Sequence, residues 1–162
     1  MTKQNTPTFG QLLRDPVMLL AFGFGSGLVP KGPGTAGTLA AIPLWLLIAG
    51  LNPAWYLLVL VATALLGIYL CGAASRKLGV HDHGGIVWDE MVGYWITMFM
   101  APAGWGWALY GFVLFRIFDI AKPWPIGWLD RRVHGGAGIM LDDIVAALFA
   151  AGILQLTAAF ML

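Results

Sequence analysis

The sequence predicts an all-α fold, a compact helical bundle that crosses a membrane about five times and carries one additional N-terminal helix. Two observations predict it. Of 162 residues, 59% are hydrophobic and only 10% are charged, with a mean hydropathy of +0.80. A soluble domain carries about 25% charged residues, so this chain lacks the polar side chains to cover a water-exposed surface. In addition, its nine Lys and Arg and eight Asp and Glu fall in only three stretches, Lys3–Lys31, Arg76–Glu90 and Arg116–Asp143. Between and after them lie the charge-free runs Gly32–Ser75, Met91–Phe115 and Ile144–Leu162. The length fits a single domain, 1–162, with residues 1–17 peripheral.

Taken in order, Phe9–Phe22 reads as a short interfacial or re-entrant helix. No cleavable signal peptide is expected, because Asp15 and Pro16 precede its apolar part. The first charge-free run is long enough for two crossings, each needing about 20 apolar residues. Leu51-Asn52-Pro53 marks a turn near its middle, so helices are expected over Thr35–Gly50 and Ala54–Ala74. The second run contains Ala101-Pro102-Ala103-Gly104, a poor centre for an unbroken helix. It therefore reads as a hairpin, Ile86–Ala101 and Trp105–Ala121, with arms of about 24–26 Å. Trp105 and Trp107 flank that tip as Trp45 and Trp55 flank the first, where an interfacial aromatic belt would sit. The third run, preceded by Asp142 and Asp143, supplies the last crossing. Two hairpins place every Lys and Arg on one side, which the positive-inside rule makes cytoplasmic.

The composition also excludes function classes. A net charge of +1 without a basic tract leaves no electrostatic footprint for nucleic acid. Disorder requires low hydrophobicity and high charge, the reverse of what is present. The single Cys71 forms no intramolecular disulfide and reads as a buried small residue. The sequence leaves the oligomeric state open.

The chemistry sits in the charged stretches. Six glycines between Gly23 and Gly37 surround Gly25-Ser26-Gly27, Lys31 and Thr35. Such a loop brings backbone N–H groups close to an anion, and a helix starting near Thr35 or Thr38 favours phosphate at its N-terminus. Close helix packing is the other reading of these glycines. No Gly-Lys-Ser/Thr follows, so this is not a Walker A loop. The second stretch holds His81-Asp82-His83 and then Asp89-Glu90 at the head of an apolar helix. Ionisable groups at membrane depth are costly and mark function, and paired carboxylates suit a hard cation such as Mg²⁺. The imidazoles read as weak metal ligands, as a polar interfacial turn, or as phosphate-binding or proton-relaying groups.

In the third stretch Arg116 and Asp119 are three residues apart on one helical face, and Lys122 continues that face before Pro123-Trp124-Pro125 ends the helix. A mutually neutralising pair is the plainer reading of Arg116 and Asp119. Asp130-Arg131-Arg132 reads as a solvated, headgroup-contacting loop, followed by Gly135, Gly136 and Gly138. Asp142 and Asp143 are expected at the start of the last helix, where they would at least complement its dipole. One membrane face thus gathers carboxylates for a divalent cation, with Arg116, Lys122 and a glycine loop for phosphate. That is the inventory of metal-assisted phosphoryl chemistry.

At these residues the chain closely resembles the phosphatidylglycerophosphatase A family of bacterial membrane lipid phosphatases. The matching blocks are Phe24-Gly25-Ser26-Gly27-Leu28 with Pro33-Gly34-Thr35, His81-Asp82-His83 with Ile86-Val87-Trp88-Asp89-Glu90, Phe115-Arg116 with Asp119 and Lys122-Pro123-Trp124-Pro125-Ile126, and His134-Gly135-Gly136 with Gly138-Ile139-Met140 and Asp142-Asp143. The resemblance covers roughly Leu19 to Leu154. It implies an all-helical bundle at the bacterial inner membrane, with a cytoplasm-facing site and a phospholipid substrate. The implied reaction is Mg²⁺-dependent hydrolysis of the phosphate monoester of phosphatidylglycerophosphate.

On this reading Asp89, Glu90, Asp119 and one of Asp142 and Asp143 bind the metal. Gly25, Ser26, Gly27, Lys31, Thr35, Arg116 and Lys122 hold the phosphate. Asp89, Asp119, Asp143, His81, Asp82 and His83 are the candidate catalytic residues, the His-Asp-His group as proton donor to the leaving alkoxide or as water-positioning residues. Two other classes use the same inventory. A lipid-alcohol phosphotransferase would need a donor-binding motif, which the sequence does not display. An ion or anion transporter would move charge without releasing phosphate.

Overall fold

The computed structural model describes residues 6–161. Their elements are α1 (Phe9–Leu12), α2 (Pro16–Ala21), a 3₁₀ segment (Gly23–Leu28), α3 (Pro33–Ile48), α4 (Pro53–Leu78), α5 (Trp88–Thr97), α6 (Trp105–Ala121), α7 (Ile126–Arg132) and α8 (Gly135–Met161), with no strand among the described residues. Local chemistry sets the boundaries. Asp15 caps α2 by accepting from the Val17 and Met18 N–H groups, with Pro16 at the first helical position. Asn52 caps α4 in the same way, its Oδ1 accepting from Trp55 N–H at 3.1 Å. Gly79 ends α4 in the left-handed conformation, where glycine meets no steric cost.

Several expected boundaries move. The N-terminal stretch is not one helix, because Asp15-Pro16 divides it into α1 and α2. Helix α4 runs a turn beyond Ala74, carrying Arg76 and Lys77 where cations complement the helix C-terminus. Helix α5 is shorter than the expected Ile86–Ala101 arm. Its chain leaves the helix after Thr97, and Met100 takes a positive φ before the Pro102 turn. Residues 130–132 are not a loop but the end of α7. Helix α8 begins at Gly135, so Asp142 and Asp143 lie about two turns inside it rather than at its N-terminus.

Helix α8 is the axis of the bundle and packs against α4, α5, α6 and α7. Ala146, Ala147 and Ala150 are fully buried along it, and such small residues let helix backbones approach closely. Gly136 sits so near Ile68 and Gly72 of α4 that a Cβ there would overlap the Ile68 carbonyl. This close approach of two helices is what requires glycine at position 136. Short helix α5 is wrapped by its neighbours, with Met91, Val92 and Tyr94 fully buried.

Two ends of the bundle result. At one end lie the start of α3, the end of α4, the start of α5, the end of α6 and the early turns of α8. Arg116–Glu90 ties α6 to α5, Lys122–Asp142 ties the end of α6 to α8, and Lys77–Asp15 ties the end of α4 to the start of α2. At the other end the α3–α4 and α5–α6 turns meet, with Trp45, Ala49 and Ala101 lining shared cavities. The expected number of membrane helices is not reached on length. Among the described residues, only α4 and α8 are long and apolar enough to cross by themselves. The shorter helices have 16 residues in α3, 10 in α5 and 17 in α6, about 24, 15 and 26 Å at 1.5 Å per residue.

Candidate active site

The first turn of α5 presents Asp89 and Glu90, and α8 brings Asp143 against them. Each of the three offers one carboxylate oxygen, and these oxygens lie within 4.8 Å of one another. Asp89 Oδ1, Glu90 Oε2 and Asp143 Oδ2 are buried and make no hydrogen bond among the described residues. Three carboxylates this close repel one another and sit together stably in ionised form only beside compensating positive charge. Part of that charge comes from α6. Arg116 Nη1 lies 3.9 Å from Glu90 Oε1 and pairs with Asp119 Oδ2 on its own helix. Asp119 in turn adjoins Asp143. The guanidinium is not saturated, since its Nε is buried without a partner.

Asp142 takes a different direction. Successive helical residues point about 100° apart, and Asp142 meets Lys122 Nζ at 2.8 Å while Asp143 faces the carboxylates. Lys122 also reaches Asp130 of α7 at 2.9 Å. It ends α6 in the left-handed conformation, with φ 44°. Burial opposes its charge, yet the two carboxylates hold its ammonium above the usual lysine range. Lys122 is therefore engaged by protein carboxylates on both sides.

The glycine loop is used for packing at several positions. A Cβ on Gly27 would overlap the Gly85 carbonyl, and one on Gly37 would lie 2.5 Å from Val87 Cβ. Gly34, at the start of α3, stands against the site itself. A Cβ there would overlap Glu90 Oε1 and lie 3.2 Å from Arg116 Nη1. Gly25 has φ +98° and lies under the Phe9 ring. Ser26 Oγ donates to the Gly23 carbonyl at 2.8 Å, a bond inside its own turn. Lys31 is exposed and Thr35 half-buried, one on each side of Gly34 at this end of α3.

The His-Asp-His motif divides among three tasks. His81 Nε2 accepts the Gly135 N–H at 2.9 Å, at the start of α8. His83 is buried, and its Nδ1 accepts the Gly85 N–H at 3.0 Å, which leaves the proton on Nε2 beside Thr6 Oγ1 at 3.4 Å. Burial holds the His83 imidazole below the usual range. Asp82 is exposed and lies within electrostatic reach of Lys122, Asp130 and Asp119.

The phosphatidylglycerophosphatase A family model matches residues 19–158. Phosphatidylglycerophosphatase A of Escherichia coli (strain K12) is 55% identical over 143 residues, covering 88% of this chain and 83% of that protein. The chain belongs to the phosphatidylglycerophosphatase A family. A second member, from Haemophilus influenzae, is 46% identical over 149 residues, covering 91% of each chain. No solved structure matches the chain. The family match takes in every site residue named above. It also takes in Asp130, which sequence reasoning leaves in a solvated loop. The overlooked signal is its position eight residues after Lys122, just past the proline-rich turn that folds α7 back toward α6.

Proposed function

We propose that this chain is a Mg²⁺-dependent phosphatase that hydrolyses the phosphate monoester of phosphatidylglycerophosphate, giving phosphatidylglycerol and inorganic phosphate. The names of its relatives supply the substrate. One structural observation carries the chemistry: three carboxylates, each with a buried oxygen that makes no hydrogen bond among the described residues, converge beside a guanidinium. An all-oxygen donor set of this kind fits a hard divalent cation. Asp89, Glu90 and Asp143 would hold it, with Asp119 adjoining. When bound, such an ion neutralises the carboxylates and polarises a phosphoryl oxygen.

The chain's own residues bind and orient the phosphate. Arg116 is fixed by Asp119 and leaves Nε available, so its fork is aimed before the anion arrives. The glycine at position 34 keeps the space beside Glu90 and Arg116 open. Lys122 holds α7 and α8 together rather than gripping phosphate. Of the His-Asp-His motif, Asp82 interacts electrostatically with Asp119 and Asp89 and is our choice for donating a proton to the leaving alkoxide, since both imidazoles are committed to backbone amides.

We place the protein in the bacterial inner membrane as a multi-pass protein with this site facing the cytoplasm. Exposed leucines, isoleucines and aromatics cover the outer faces of α4, α6 and α8, surface that water would not tolerate at this extent. The charged end then lies at the cytoplasmic surface. The test is phosphate release from phosphatidylglycerophosphate by purified protein in detergent, with Mg²⁺ and then with chelator. Release that requires Mg²⁺ and disappears in a folded Asp89→Asn variant is expected. Charge movement without release would favour a transporter, and release unaffected by chelator would remove the metal.

A further inference from the structure

The outer face of α6 carries a feature that the bundle core does not use. Leu109, Val113, Ile117 and Ile120 are all at least half exposed. Their spacing of four, four and three residues sets them in one stripe along the helix. A shallow, open groove of about 430 Å³ lies over the later part of this stripe, lined by Phe112, Val113, Arg116, Ile117, Ile120 and Ala121. Its wall is apolar except for one charged side chain, Arg116, whose guanidinium reaches Glu90 in the carboxylate cluster. The cavities around Trp45 and around Trp107 touch no residue of the site. The polar cavity beside Asp15 and Lys77 touches none either.

We infer that this face of α6 is the acyl-chain track of the lipid substrate, with Arg116 at the point where the track meets the headgroup phosphate. The inference rests on the lipid phosphatase reading above and extends it to the rest of the substrate. Three features favour a lipid chain as the occupant. The groove is continuous with the site through Arg116. Its single charge is opposite in sign to a phosphate. The stripe from Leu109 to Ile120 rises about 17 Å, close to half of a hydrocarbon core of about 30 Å. That is the depth of a single leaflet, and so the reach of a chain whose headgroup stays at one surface. A lipid lying here presents its phosphate sideways to the carboxylates without leaving the membrane.

The experiment uses the full chain in phosphatidylcholine vesicles containing chelator, so that nothing is turned over. Phosphatidylglycerophosphate with a diazirine in one acyl chain is photolysed and the labelled residues are mapped. Labels at Val113 and Ile117 are expected, suppressed by excess unlabelled phosphatidylglycerophosphate but not by added phosphatidylcholine. Labels spread evenly over α4, α6 and α8 that no competitor removes would overturn the track. So would a chain-to-chain interface covering α6 and excluding the probe.

A second arm uses Ile117→Trp, which fills the groove without touching the carboxylates. The KM for long-chain phosphatidylglycerophosphate should rise about tenfold, equivalent to losing contact with roughly two CH₂ groups. The deacylated, water-soluble headgroup should be hydrolysed as before. Equal effects on both substrates, or none on either, reject the track. The two readings fail separately. Specific labelling without phosphate release from either substrate would reject hydrolysis and keep the track. Phosphate release with indiscriminate labelling would do the reverse.

Discussion

Lys122 Nζ lies 2.8 Å from Asp142 Oδ2, and with Asp142 held there the next carboxylate along α8, Asp143, faces Asp89 and Glu90. The same ammonium reaches Asp130 at 2.9 Å, so one side chain joins the end of α6 to α7 and to the early turns of α8. The strut and the carboxylate cluster thus use different side chains of the same two helices, α6 and α8.

Removing the strut should cost stability first. In Lys122→Met, Asp142 stays buried with no cation beside it. Losing a charge-assisted hydrogen bond at a buried carboxylate costs about 2–3 kcal/mol. The unfolding midpoint in detergent should fall accordingly, and adding Asp142→Asn to the same chain should restore part of the loss. A midpoint unchanged by Lys122→Met would show that the pair contributes nothing to the fold.

The two adjacent aspartates should separate cleanly in metal affinity. Asp143→Asn replaces one of the three converging carboxylates by a neutral amide, and binding of Mg²⁺ or Mn²⁺ by titration calorimetry should be lost. Asp142→Asn disturbs only a supporting contact and should weaken binding about tenfold, as outer-shell changes do. Equal losses in both variants would mean that Asp142, not only Asp143, faces the ion.

How far the sequence could take this reading depends on the element. The charge-free runs locate α3, α4, α6 and the later part of α8, because a run of apolar residues bounded by Asn-Pro or Pro-Gly signals has few other readings. The gathering of charge at one end was legible for the same reason. The early turns of α8 were not. Gly135, Gly136 and Gly138 are poor helix formers, and three separate structural facts explain them: Gly135 takes a positive φ, Gly136 crosses close over α4, and Gly138 stands against the Val133 carbonyl. The direction of each aspartate was equally hidden, since adjacent residues have the same composition and differ only in helical phase. The brevity of α5 was concealed too, because its expected arm extends into the turn where Met100 takes a positive φ.

The glycines give a graded set of substitutions. Gly27→Ala forces a Cβ onto the Gly85 carbonyl and should destabilise by about 1–3 kcal/mol, the range for overpacking. Gly34→Ala instead pushes against Glu90 Oε1 and Arg116 Nη1, so phosphate release should fall more than the unfolding midpoint does. Gly50→Ala has no neighbour within 4 Å and should stay within about 0.5 kcal/mol. Unfolding midpoints and phosphate release on the three variants decide the order.

His83 makes the stability of this end depend on pH. Burial lowers its folded-state pKa, against the pull of Asp82, while in the unfolded chain an imidazole titrates near about 6.5. The unfolded state therefore binds more protons at mildly acidic pH. The contribution of His83 is fully present above about pH 6.5 and is lost as pH falls from there toward the lower folded value. The structure supplies the reason: Nδ1 must stay unprotonated to accept the Gly85 N–H. His83→Asn keeps an acceptor for that amide two residues on, as in an Asx turn, but cannot titrate. Unfolding midpoints between pH 7.5 and pH 5 should fall more steeply for the unsubstituted protein than for His83→Asn. Parallel slopes in the two proteins would assign the acid sensitivity to other groups.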